Sequence, residues 1–107
     1  MQPIEWKEPW RAIQFAAEIP WVQKQFEQEI TSKHPLHGKG GTVIGRRIDC
    51  DDVLVVLNDG AFVNVHLVWG SGPGAFPDKW PSWFSYGSQE SFVQAMQQDA
   101  LEYGDET

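Results

Sequence analysis

The sequence predicts an α+β domain in which N-terminal helices and a C-terminal helix pack on a three- to four-stranded antiparallel sheet. Three observations carry that prediction. Two apolar, β-branched runs, Val53 to Leu57 and Phe62 to Trp69, flank an Asp59-Gly60 pair, the pattern of a β-hairpin. Val22, Phe26 and Ile30 recur every four residues, the spacing of a helix with one apolar stripe. Ser88 precedes a further stripe of Phe92, Ala95, Met96 and Tyr103 that stops at Gly104, so that helix carries both of its end signals.

In chain order, residues 1–9 hold two prolines and no helical period and read as an extended arm. Trp10 to Ile19 reads as a short helix, with Ile13 and Ala17 on one side. Pro20 then restarts the chain, because proline suits the first turn of a helix and breaks one from inside. The helix from Trp21 to about Lys33 leaves Gln23, Lys24, Glu27 and Gln28 outside its stripe. His34-Pro35 ends it, since the residue before a proline is pushed out of the α region. After a glycine-rich loop, Thr42 to Ile48 forms the first strand, with Ile44 and Ile48 on one face. Asp49 to Asp52 makes the turn that follows.

A two-residue type I′ turn at Asp59-Gly60 implies cross-strand pairs 57 with 62, 55 with 64 and 53 with 66. One face then carries Leu54, Val56, Val63, Val65, Leu67 and Trp69 and must meet a helix. The other mixes Val53, Val55, Leu57, Phe62 and Val68 with Asn64 and His66, whose polar groups need partners or water. Gly70 to Pro81 is a Gly/Pro loop holding Phe76 and Trp80, and Trp83 to Tyr86 is a short fourth strand.

The 107 residues (1–107) suffice for one domain, which buries roughly two thirds of its unfolded surface without disulfides. The lone Cys50 cannot form an internal bridge, which points to a reducing cytoplasm. The N-terminus MQPIEWKEPW lacks a basic then apolar leader, and no stretch approaches the ~20 apolar residues of a membrane span. The expectation is a soluble protein with no membrane partner. Fifteen Asp and Glu against 8 Lys and Arg give a formal charge of −7, a field that repels a phosphate backbone and disfavours nucleic acid.

From His34 onward the run HPLHG, then IGRRIDCDDVLVVLNDG, then VNVHLVW, then a loop reaching DKWP, resembles a family of small bacterial proteins that carries no assigned activity. The resemblance covers roughly residues 34 to 97; the N-terminal third is peculiar to this chain. It implies the order of the elements and a bacterial origin, and it supplies no catalytic residue.

His34, His37, His66 and Cys50 are the nitrogen and sulfur ligands available to a transition metal, yet no second His or Cys pair at ligand spacing closes a tetrahedral site. Asp49, Asp51 and Asp52 lack the glycine and glutamate positions of a calcium loop, and are expected to make the turn and pair with Arg46 and Arg47. In the inferred register Asp52 and His66 point to opposite faces, which argues against a catalytic dyad. No G-x-S-x-G elbow or phosphate-binding loop is present. Phe76, Trp80, Trp83 and Phe84 remain as the candidate partner-binding residues. Their loop either folds over the mixed sheet face as a lid, the expected arrangement because that face needs cover, or displays a patch for a partner. The reading is a non-enzymatic domain without cofactor that binds another protein, as inhibitor, immunity or adaptor proteins do, or that forms a homodimer. The alternative is a small hydrolase or metal protein using His34, His37 and His66.

Overall fold

The computed structural model describes residues 1–13, 15–70 and 76–104. They form an α+β fold of five strands and two helices: β1 (Trp10–Ala12), α1 (Glu18–Glu29), β2 (Thr42–Arg47), β3 (Asp52–Val56), β4 (Phe62–His66), β5 (Ser82–Gly87) and α2 (Gln89–Tyr103). The strands lie in the order β1-β2-β3-β4-β5, and every neighbouring pair is antiparallel. The sheet therefore has one strand more than the four at most that the sequence predicts, and a single helix, lying between β1 and β2, stands where two N-terminal helices are expected.

The extra strand replaces the helix expected over Trp10 to Ile19. Trp10 pairs with Arg47 and buries its ring, so a tertiary contact overrides a weak local preference. α1 starts at Glu18, whose charge sits in the first turn, and Pro20 also falls in that turn, where no intrahelical N–H is missed. The helix stops at Glu29, short of the expected Lys33, with the Ile30 N–H closing on Phe26 O.

The hairpin turn has three residues where a two-residue type I′ turn is expected. Leu57 N–H donates to Ala61 O at 2.9 Å and Gly60 N–H to Leu57 O at 2.9 Å. Gly60 has φ +91°, while Asp59 stays out of the left-handed region that a type I′ turn requires of it. This is a type I turn closed by a left-handed glycine. The register becomes Asp52 with His66, Val53 with Val65 and Val55 with Val63. A slip of one residue turns every side chain of β3 to the other face. Val53, Val55 and Leu57 accordingly join Val63, Val65 and Leu67 in a core with Val22 and Phe26 of α1. Leu54 lies on the opposite face with Trp10, Phe62, Phe92 and Met96, and Val56 packs against that cluster. Trp69 leaves the strand altogether, at φ +58°.

Both sheet faces are thus apolar and each has a helix over it. α2 takes the face for which the aromatic loop was expected to be the lid. Its ends are those expected: Ser88 Oγ accepts from Ser91 N–H at 3.1 Å, and Gly104 is the C-cap. Phe92 and Met96 are buried, while Tyr103, expected in the stripe, is exposed. β2 carries a bulge between Val43 and Gly45, after which Arg46 pairs with Val53. Ile44 packs into the α2-side cluster and Ile48 falls beyond the strand in solvent, so the two do not share a face. Gly45 is required by close approach: a Cβ there would lie 2.5 Å from the Trp6 ring of the N-terminal arm.

Candidate functional site

The segment leading into β5 is pinned at both ends by α1 and the turn after it. Glu29 is buried, and its carboxylate accepts from the Val68 and Trp69 N–H groups at 2.8 Å each and from Gln25 Nε2 at 2.7 Å. Gln25 and Gln28 donate to Gly70 O at 3.0 Å. At the other end, buried His34 accepts the Leu36 N–H on Nδ1 at 3.1 Å. Its Nε2 therefore holds the proton and donates to Pro81 O at 2.8 Å. His34 clamps the start of β5 from the turn after α1, four residues beyond the helix C-cap at Ile30. Residues 71–75 of the expected Gly/Pro loop lie outside the described residues.

Between and beyond these anchors the four candidate rings reach solvent: Phe76 is 56% exposed, Trp80 50%, Trp83 36% and Phe84 53%. Lys79 Nζ lies 5.4 Å from the Phe76 ring centre. β5 pairs with β4 on one side, and among the described residues no strand lies along its other edge. Ser82–Gly87, SWFSYG, contains no charged residue. The opposite edge differs: β1 has three residues and carries Arg11. Short length, charge, proline and bulges are the usual guards against edge pairing; β5 has six residues and no charge, with Pro81 just before it and an irregularity only at its far end.

The corrected register brings Asp52 and His66 together, contrary to the opposite-face expectation. Asp52 Oδ1 lies 2.7 Å from His66 Nδ1, and Asn64 Nδ2 lies 3.1 Å from both Asp52 Oδ2 and Tyr86 Oη. Burial pushes the Tyr86 hydroxyl up to about 12. Ser82 of β5 is the next cross-strand neighbour of His66. The three histidines are dispersed: His34 holds Pro81, His66 meets Asp52, and His37 is exposed in its loop. Among the described residues no three His, Cys, Asp or Glu side chains converge as metal ligands. The Cys50 thiol is raised, chiefly by desolvation, which is the wrong direction for a nucleophile.

Alternation along β2 sends its two adjacent arginines to different helices. Arg47 forms a bidentate pair with Asp49 (2.8 and 2.8 Å) and reaches Asp99 of α2 at 3.4 Å. Arg46, expected beside the same aspartates, turns to Glu18 of α1 at 3.7 Å and lies near the Trp21 and Trp69 rings. Glu18 also takes a bidentate bond from Arg11 at 2.9 and 2.7 Å. That bond, offset in part by desolvation and aided by the charges of Arg11 and Arg46, holds the Glu18 carboxyl below its ordinary 4.5. A depressed carboxylate contributes stability above its unfolded value, and the contribution is lost as the pH falls through the folded one. Glu18→Gln should therefore lower the melting temperature at pH 7, and its difference from wild type should shrink as the pH falls below 4.5. Melting curves of both proteins across that range check this.

Comparison of the chain with protein-family models, with curated proteins and with solved structures gives no match. No helix among the described residues is long and apolar enough to cross a membrane. Glu29 is the working residue that sequence reasoning missed. Its signal was its position three residues after Phe26, on the inward side of the α1 stripe, where a carboxylate requires buried donors.

Proposed function

We propose that this chain is a protein-binding module that docks another polypeptide along the edge of β5, with Trp80 as its anchor. The observation that carries the reading is an uncharged six-residue edge strand beside four exposed aromatic rings. Strand addition uses such an edge: backbone groups supply affinity, and neighbouring side chains select the partner. Trp80 stands between Lys79 and Pro81, with its N–H on Phe76 O at 3.1 Å, so its backbone is already ordered and little entropy is lost on docking. The partner is one that an inhibitor, immunity or adaptor protein would take, and the single cysteine and the family resemblance fit a bacterial cytoplasm as the setting. Trp80→Ala should weaken association by at least ~2 kcal/mol and leave the fold nearly as stable. A melting curve and the set of captured proteins test this together. A comparable loss of stability with an unchanged captured set would make Trp80 a core residue and remove the loop from the site.

A second reading, a small hydrolase, has one observation in its favour: Asp52, His66 and Ser82 stand side by side on three adjacent strands, with the carboxylate already on the imidazole. In that reading Ser82 Oγ is the nucleophile and His66 its base. A serine-directed fluorophosphonate probe separates the two, since only a hydrolase would be labelled at Ser82 in wild type and not in His66→Ala.

A further inference from the structure

We infer that the His34 clamp is an acid-sensitive latch: a proton taken up on His34 Nδ1 breaks its hold on Pro81 and frees the start of β5, with Trp80 beside it. The hydrogen bonds of the ring admit only its neutral form. Nδ1 accepts the Leu36 N–H at 3.1 Å and Nε2 donates to Pro81 O at 2.8 Å, so a second proton would set two N–H groups face to face. Either the ring or the Leu36 N–H must then turn away, and both moves undo the turn from which the clamp reaches Pro81. Resting on the docking reading, the consequence is regulation of that site: Trp80 is held in order near neutral pH, and its anchor loosens in acid.

Nothing around the ring receives the new charge. His34 is 3% exposed, and among the described residues no carboxylate forms an ion pair with it, whereas His66 has Asp52 at 2.7 Å. From α1, Glu29 is committed to the Val68 and Trp69 N–H groups. The charged or titratable neighbours in its own turn and loop are Lys33, His37 and Lys39, and those on the held segment are Lys79 and the exposed Asp78. A buried imidazolium without a carboxylate is unfavourable, and water is the partner it gains by opening. The same turn carries a second group that opening relieves. Thr31, whose carbonyl accepts the His34 N–H at 2.9 Å, keeps its Oγ1 buried with no hydrogen-bond partner among the described residues. One movement hydrates both side chains. The anchor at Glu29 involves no imidazole, so acid opens the Pro81 end of the segment and leaves the Val68 end held.

Amide hydrogen exchange of residues 76–87, expressed as protection factors with α2 as internal reference, tests the latch on wild type, His34→Gln and His66→Gln. The measurements are made at about pH 7.5 and about pH 5.5, either side of the point at which an imidazole in water takes up its proton. Wild type and His66→Gln should lose protection at least tenfold in acid over residues 76–87 and not in α2. His34→Gln, whose amide can still donate to Pro81 O and does not titrate, should lose none. Protection that wild type keeps at the lower pH overturns the inference, and so does an acid loss that persists in His34→Gln. If His34→Gln is unprotected at both pH values, the wild-type ring decides. Followed by nitrogen-15 NMR, the His34 imidazole should titrate at the pH where the segment opens, and separate midpoints overturn the latch. No partner takes part in these measurements, so their failure leaves the docking reading standing, and failure of the Trp80→Ala test leaves the latch standing.

Discussion

Val65→Asp is expected to unfold the domain. Val65 is fully buried on the α1 side of β4, opposite Val53 and in one cluster with Val22, Phe26 and Leu36. A carboxylate placed there has no cation within its core, and burial without a partner costs several kcal/mol whether it stays charged or takes up a proton. The whole stability of a domain this size is ~5–15 kcal/mol, so most of it is consumed. Far-ultraviolet circular dichroism at 25 °C and a urea titration read the outcome. A Val65→Asp protein with native melting behaviour would put Val65 outside the core and the β3 to β4 register in error.

Phe92→Ala should cost ~3–5 kcal/mol, the range for deleting a fully buried ring. Phe92 is the hub of the α2-side core. Its ring meets Trp10 edge-on at 5.3 Å, Tyr86 edge-on at 5.2 Å, Phe62 at 6.2 Å and Trp6 at 6.1 Å. Those four rings come from the N-terminal arm, β1, β4 and β5, so the cavity loosens the arm and both sheet edges together. A denaturant titration followed by tryptophan fluorescence measures the loss, with Trp6 and Trp10 as local reporters. A change below ~1 kcal/mol would mean that α2 does not cover this face, which would return it to the aromatic loop as lid.

The elements differ in how far their own residues specified them. α2 was legible from end to end because a capping serine, a four-residue apolar period and a terminal glycine all act within one helix. The α1 stripe was legible for the same reason, though its last turn was not, since Thr31 to Leu36 is held by His34 and distant Pro81. β1 was illegible. Three residues show no period, and only the pairing with β2 makes them a strand. The hairpin was recognised, but its register was not: Asn58-Asp59-Gly60 suits a three-residue loop as well as Asp59-Gly60 suits a two-residue one. With apolar side chains on both faces, alternation gave no vote between them. That single residue decided whether Asp52 meets His66. At the candidate site, the aromatic residues were legible from their Gly/Pro surroundings, whereas their exposure was not.

By itself, then, the sequence determined the chemistry that acts over a few residues: the apolar stripes of the two helices, the existence of the hairpin, where glycine turns the chain, and which rings stand in Gly/Pro surroundings. Tertiary structure decided what depends on residues far apart in the chain. It placed α2 over the face for which the sequence expected the aromatic loop as cover, gave Glu29 two backbone donors some forty residues away, and, among the described residues, laid no strand along the outer edge of β5. The physical reason is common to all three. Burial and hydrogen-bond satisfaction are properties of the assembled sheet and its two helices, and no local window contains the partner that settles them.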